Sequence, residues 1–524
     1  MGIINKHYSY LANTVKSSTL FLTFLYLYTS ILNFFFPISL YIVPVTILFA
    51  LLTVVMLWPK INFEIFRESN INYNYYILIF LFFIIFVWLV VVAVRPTMDT
   101  DANVYHLPQS LLMNHSVWYP GIAKLSLPFG ISNGDSVLAS NFTAFGKIGF
   151  ENIPNLIIWI IFSLGIFIYL KRKEISTFNS LSLTFMFMLT PILFWQSYNM
   201  GTDLPYICFA VFGLLAFSEQ YFDDTALFFA LASVFKTHGL ILFVMFMPYI
   251  FLRHIKEKKP WLFNTKIILA FFLIAIVFLR TFIATGNPFF PVFVYNFGNL
   301  SIDIGVQRMF IDSLRAYSGA ERTLSGFLLF IKDFLFFPKR VMSSYWFSPF
   351  FLSASITALI FFITKKYYRK VNSVFLYLTF IIIIYGVIWF ISSPLERFIA
   401  AILIFLTIKS FIFISKAKLP NFFILVNYAM LYSCLFLFII NAIVHIKKDV
   451  SPLINVSQET IDKFRDYTDG IILRKTEDGF IYSKTISTYV GRTQPPCVTS
   501  YAAGREEDLI REFRKYNKLY EKTR

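Results

Sequence analysis

Residues 75–94, YYILIFLFFIIFVWLVVVAV, lead almost directly into residues 98–135, MDTDANVYHLPQSLLMNHSVWYPGIAKLSLPFGISNGD. The first stretch is an uncharged apolar run of the length a helix needs to cross the hydrocarbon core of a bilayer. The second is the longest polar interruption of the apolar part of the chain, and it opens with Asp99 and Asp101. A carboxylate at the mouth of a membrane helix is costly unless it is paired, hydrated or used. If Asp101 starts a short helix, Tyr105 falls one turn on along the same face, with His106 beside it. Taken singly, each aspartate reads equally well as the N-cap of a helix in a solvated loop. Two acids, a tyrosine and a histidine together read as a site.

Composition sets the class. The chain has 524 residues, of which 57% are hydrophobic, 20% aromatic and only 14% charged, with a mean hydropathy of +0.67. Long apolar runs at this density mean an all-α polytopic membrane protein. A net charge of +17 would suggest nucleic acid in a soluble protein, but the basic residues here sit in short loops between apolar runs. That is a topology signal, and no nucleic-acid partner is expected. Cys208 and Cys434 lie inside apolar runs and Cys497 stands alone in the polar tail, so no disulfide framework or zinc spacing arises. Lys6 and Lys16 precede the first apolar run without a small-residue cleavage site, which predicts a retained first span.

Further spans are expected at 18–36 and 39–58, a hairpin turning near Pro37, then at 76–95, 154–170, 179–198 and 203–219. The run 225–253 is interrupted by Lys236-Thr237-His238-Gly239 and predicts two helices meeting at a polar break. Spans at 265–284, 346–364, 373–392, 397–415 and 421–443 complete a bundle over residues 1–444. Its total is about 11–14 transmembrane helices, with large loops at 96–153 and 285–345. Residues 445–524 read as a small mixed α/β cap: IILRKTEDGFIYSKTISTYV alternates as strands do, and REEDLIREFRKYNKLYEK is helical in pattern. The basic clusters at 171–173, 253–259, 365–370 and 416–418 share one side, which the positive-inside rule makes cytoplasmic. The loop 96–153, the turn at Asp203, the KTHG break, the loop 285–345, the turn SPLERF and the C-terminal cap 445–524 then share the opposite, extracytoplasmic side. The expected localisation is therefore an inner, cytoplasmic membrane, with a site on its periplasmic or outer face.

Four groups carry the candidate chemistry: Asp99, Asp101, Tyr105 and His106; Asp203 in MGTDLPY; Lys236 with His238; and Arg280 before TGNPFFP together with Glu396 and Arg397 in SPLERF. Each has a plainer reading, as a cap for Asp203, as a snorkelling lysine for Lys236, or as a structural ion pair for Glu396 and Arg397. Carboxylates can take a proton from an acceptor hydroxyl or hold a divalent metal, for which Asp101 and Asp203 are the candidates. Arginine suits bidentate recognition of phosphate. These are the parts needed to move a group from a lipid phosphate to an acceptor. Asn114-His-Ser and Asn141-Phe-Thr match the N-glycosylation triplet, a pattern frequent by chance.

The segment D-x-x-x-Y-H after an early span resembles the first outer loop of the GT-C class of membrane glycosyltransferases, whose catalytic acid often stands in Asp-Glu-x-x-Tyr. On that match Asp101 takes the place of the acid and Tyr105 that of the tyrosine. Ala102 and Asn103 depart from the pattern, and Asp99 substitutes for the missing glutamate. TDLP around Asp203 is similar to the second acidic site of such enzymes. FKTHGL, RTFIATGNPFFP, SPLERF and GRTQPPCVTS resemble recurring segments of a bacterial branch with this architecture. The resemblance implies a GT-C-like helical bundle with an outer-face cavity and an inverting glycosyltransferase. It implies a polyprenyl-phosphate-linked sugar as donor, a glycan or lipid acceptor, a setting among membrane lipids and a role in cell-envelope polysaccharide biosynthesis. In that scheme Asp101 or Asp99 is the general base, Asp203 positions the acceptor or a metal, and Lys236, Arg280 or Arg397 meets the departing phosphate. Tyr105, His106 and His238 complete the substrate-binding set. A glycan polymerase or ligase using lipid-linked donors is the nearest alternative. A secondary transporter or flippase is the alternative from another class; it would favour internal repeats and ionisable residues at mid-span.

Overall fold

The computed structural model describes residues 2–66, 97, 102–131, 133–147, 149–258, 264–291, 302–316, 373–392 and 396–416, with short pieces within 323–329, 435–443 and 471–498. The spans expected at 76–95 and 346–364, and most of the one at 421–443, lie outside these residues. Apart from three short strands, the regular structure described is helical.

The chain begins with α1 (Gly2–Leu32) and α2 (Val43–Leu57), which pack as the expected hairpin. Pro44 sits in the first turn of α2, where its missing N–H costs nothing. Two short helices follow, α3 (Leu107–His115) and α4 (Gly134–Thr143). The long helix α5 (Ile153–Arg172) leads to a pair bent by 72°, α6 (Thr177–Met188) and α7 (Pro191–Ser197). Next come α8 (Asp203–Ser218), α9 (Phe222–Phe235), α10 (Thr237–Lys256) and α11 (Thr265–Thr285). The last helices are α12 (Ile304–Ala316), α13 (Ser373–Ser392) and α14 (Glu396–Lys416). Among the described residues four helices are long and apolar enough to cross a membrane, or five if the bent pair is one span.

The packing follows from where the apolar residues lie. Helices α8 and α9 are apolar almost all round and are buried on all sides, as such helices must be. Helix α9 is the axis, packing on α8, α10 and α11. Helix α11 buries Leu273, Val277, Arg280, Thr281 and Ala284 on one face and exposes Ile268, Phe271, Phe272 and Leu279 on the other. Helix α2 likewise exposes Leu48, Phe49, Leu52, Val55 and Met56. Bulky apolar side chains facing outward from a packed core are what a lipid-facing surface presents, and the chain is a helical membrane protein.

The interruption of the run 225–253 is as expected: Lys236 is extended between α9 and α10. Gly239 makes the sharp re-entry possible, because a Cβ there would stand 2.3 Å from the backbone carbon of Ala232. The region 96–153 departs from its reading as a loop. Its described residues form α3, α4 and several 3-10 turns, mostly buried. Ile38 N–H donates to Met113 O at 2.8 Å and Trp118 N–H to Asn33 O at 2.7 Å, fastening this segment to the α1–α2 hairpin. Asn141 is buried, donates to Thr29 at 2.8 Å and accepts from Thr46 at 2.8 Å, so this triplet is a packing feature. In the tail, β1 (Ile471–Lys475) and β2 (Ile481–Thr485) pair antiparallel, and β3 (Cys497–Val498) runs parallel to β2. The two strands expected from alternation are present; the helix expected after them lies outside the described residues.

Candidate functional site

The helix ends separate the charges into two groups. One end carries Lys16, Arg172, Lys173, Glu219, Asp223, Asp224, His254, Lys266 and Lys409. Glu219 pairs with both Lys173 and Lys409, Lys266 with Asp224, and His254 Nε2 with Asp223 at 2.9 Å. Lys16 Nζ donates to Trp58 O at 2.6 Å and Asn62 at 2.9 Å. Glu219 lies just past α8; burial works against its charge, but Lys409 and Lys173 outweigh that and hold its carboxyl down at about 2.

The opposite end gathers α3, α4, the α7–α8 turn, the α9–α10 break and the C-terminus of α11. Asp203 opens α8 and is 3% exposed. One carboxylate oxygen pairs with Lys236 Nζ, from the α9–α10 break. The other accepts from Gln196 Nε2 at 3.1 Å, while Gln196 Oε1 accepts from Leu204 N–H at 2.7 Å. The amide thus bridges the acid and an otherwise unsatisfied donor of the first turn of α8. Two residues separated by a whole helical hairpin in sequence, Asp203 and Lys236, are in direct contact, a closer relation than the shared side expected for their motifs. Below them Tyr206 Oη and Tyr385 Oη share a hydrogen bond at 2.6 Å, and the rings of Tyr206 and His238 lie 6.1 Å apart.

Asp99 and Asp101 lie outside the described residues, but the residues on both sides of them are placed. Thr97 Oγ1 accepts from Met200 N–H at 3.2 Å, and Thr97 N–H donates to Glu151 at 3.3 Å. Ala102 belongs to one small apolar cluster with Met200, Leu107 and Ala139. Thr97 and Ala102 thus both stand beside the turn that presents Asp203. Tyr105 is half-buried, its ring 4.2 Å from that of His106. His106 Nδ1 faces Asp135 Oδ2 at 3.2 Å, both residues being buried. Asp135 stands at the end of the quoted polar stretch, and only its type and its place in the first turn of α4 could have signalled it. This pair adjoins the first: a Cβ on Gly134 would stand 2.8 Å from the carbonyl oxygen of Val234, two residues before Lys236.

Arg280 is buried in α11, about five residues from its end. Its guanidinium lies 4.1 Å from the Trp118 ring, whose indole N–H donates to Arg280 O at 3.0 Å. Arg397 is in the first turn of α14, its side chain outside the described set. Sequence reasoning missed Gln196, Tyr206, Tyr385, Trp118 and Asp135; the three aromatic residues and Gln196 look like ordinary core residues until their partners are known. Among the described residues no group of three His, Cys, Asp or Glu side chains could hold a metal. Both oxygens of Asp203 already accept from Lys236 and Gln196, a donor set suited to holding a carboxylate and unsuited to a cation.

A family model described as "Domain of unknown function (DUF8201)" matches residues 2–404. Neither a curated protein nor a solved structure matches the chain.

Proposed function

We propose that this chain, which belongs to the DUF8201 family, is an inverting glycosyltransferase of GT-C-like architecture. It moves a sugar from a polyprenyl-phosphate-linked donor to a hydroxyl acceptor at the outer face of the membrane. One observation carries the reading: the turn that holds a buried, ion-paired Asp203 at a helix mouth is the same turn to which Thr97 and Ala102, the neighbours of Asp99 and Asp101, are fastened. The described residues that flank these acids thus reach the end of the bundle that holds Asp203, Lys236 and Arg280, which supports the reading.

The chemistry is a single displacement. Asp101, or Asp99, takes the proton of the acceptor hydroxyl as its oxygen attacks the anomeric carbon. The bond from that carbon to the phosphate oxygen breaks, its electron pair leaves with the lipid phosphate, and the anomeric configuration inverts. Lys236 and Gln196 fix Asp203 so that it can receive a hydroxyl of the acceptor, and Arg280 or Arg397 meets the charge that develops on the leaving phosphate. Tyr105 offers a half-buried ring and hydroxyl beside this region.

The test is complementation of a deletion strain, with mass spectrometry of its polyprenyl-linked sugars. Deletion is expected to accumulate a lipid-linked sugar on the outer leaflet. Wild type, but not Asp101→Asn or Asp203→Asn at equal membrane abundance, should clear it. Full clearance by Asp101→Asn would remove that residue as the base. Accumulation confined to the inner leaflet would favour a flippase.

A further inference from the structure

Each of Lys173, Lys236, Lys266 and Lys409 faces a carboxylate. Arg280 does not. It is 6% exposed, and among the described residues no carboxylate lies within ion-pair distance of it. Its contacts are with neutral groups at long range: Nη1 reaches Ser30 O at 3.4 Å and Nη2 reaches Met113 Sδ at 3.6 Å. A buried cation held only by such partners is costly, and the cost falls when an anion arrives.

The surroundings are built to hold the guanidinium in place. Its plane lies 4.1 Å from the Trp118 ring and 5.8 Å from that of Phe34. Trp118 is fixed twice, through its indole N–H to Arg280 O at 3.0 Å and its backbone N–H to Asn33 O at 2.7 Å. Arg280 lines a small cleft together with Tyr26, Gln109, Trp118, Asn133 and Thr281. Asn133 Nδ2 donates to Gln109 Oε1 at 2.8 Å, and Gln109 Nε2 to Phe129 O at 3.3 Å, so the amides that border the cation are themselves oriented. The cleft offers a planar fork, a phenol, a hydroxyl and two amides, and no acid. Arg280 also lies about 7.5 Å along the axis from the end of α11, at 1.5 Å per residue. In a helix that crosses the bilayer, this is close to the headgroup level.

We propose that the Arg280–Trp118 cleft is an anion site that takes a phosphate group, with the guanidinium donating to two of its oxygens. The phosphate comes either from a lipid headgroup or from free inorganic phosphate. The inference rests on the transfer reading only where it names which cation meets the donor's phosphate. The site itself stands on the geometry of the cleft. Lys236 then serves Asp203, and Arg280 serves the ligand.

Binding is the readout, so that this inference and the transfer reading can fail separately. Thermal unfolding of the full chain in a neutral detergent, at fixed ionic strength, is followed with added inorganic phosphate, phosphatidylglycerol or a polyprenyl monophosphate. A concentration-dependent rise in Tm of the wild type that Arg280→Gln weakens at least tenfold in apparent affinity is the expected result. A response to inorganic phosphate assigns a free anion, and a response to the lipids alone assigns a headgroup. No rise in the wild type with any probe, or an equal rise in Arg280→Gln, overturns the site. Arg280→Lys keeps the charge without the fork and carries the same comparison if the glutamine variant does not fold. Phosphate binding intact in a protein without transfer activity would sink the transfer reading and leave the site standing.

Discussion

The two ends of the bundle hold similar side chains and use them differently. Around Glu219, Asp223 and Asp224 the named ion pairs join one helix end to another: Lys173 from beyond α5, Lys409 from α14, Lys266 from α11 and His254 from α10. Such pairs fix register between helices. At the other end Asp203 and Lys236 pair, Asp135 faces His106, and Arg280 meets only neutral partners among the described residues. Polar groups at that end also come from segments that the apolar pattern leaves unexplained, 97–147 and 196–203. Carboxylates that each meet a lysine or histidine mark an end that holds the helices together; a buried guanidinium beside pre-oriented amides, with no carboxylate within ion-pair distance among the described residues, marks an end arranged for a ligand.

The comparison can be broken at Asp203 first. Asp203→Asn removes the carboxylate that Lys236 faces in a largely buried setting, and breaking a buried pair costs about 3–5 kcal/mol. Thermal unfolding in detergent should show that loss, and the double variant with Lys236→Met should recover most of it. A single variant as stable as wild type would show that the pair is not structural. Gly239→Ala comes next: the added methyl meets the Ala232–Ser233 backbone, which has no flexible end to move aside. Overpacking of this kind costs about 1–3 kcal/mol. Because it displaces the break carrying Lys236, clearance of the lipid-linked sugar should fall along with stability.

At the paired end, Glu219→Gln should cost about 1.5–3 kcal/mol at neutral pH, the range for hydrogen bonds to charged groups. The pH dependence has a definite sign. The folded carboxyl sits at about 2, below its ordinary 4.5, so its contribution is complete above about 4.5 and is lost as pH falls toward 2. Acid unfolding of the wild type should show that loss and Glu219→Gln should lack it, while lipid-linked sugar clearance stays unchanged. The smallest effect is expected from Tyr206→Phe, which deletes one hydroxyl of the pair with Tyr385 at 2.6 Å. The cost is about 0.5–1.5 kcal/mol, read from the melting curve. A loss of clearance larger than the loss of stability would place that hydroxyl in the site.

Much of the fold was legible because it depends on local pattern. The hairpin at Pro37, the span ending in KRKE, the break at Lys236 and the span ending at TGNPFFP all follow from apolar runs and their punctuation. The strands of the tail follow from alternation. The segment 98–135 misleads for a physical reason: its polar residues pair with one another, as Asn133 does with Gln109 and His106 with Asp135, and its backbone is held by Asn33 just past α1, so its described part is mostly buried although its composition suits water. The candidate acids and cations could be named from residue type, and the common side of Asp203 and Lys236 from the basic clusters, but neither their contact nor their other partners could. Gln196 and Trp118 carry no mark in the sequence, and Asp135 only its residue type.

The amino-acid sequence by itself determined that this is a helical membrane protein, and at which end of its helices the unusual polar residues gather. Transfer of apolar surface out of water depends on composition and run length alone. Only the tertiary structure decided that Lys236 meets a carboxylate and that, among the described residues, Arg280 meets none. The charge state of a site is a sum over neighbours, and those neighbours, Ser30, Met113 and Trp118 for Arg280, come from parts of the chain that no local rule brings together.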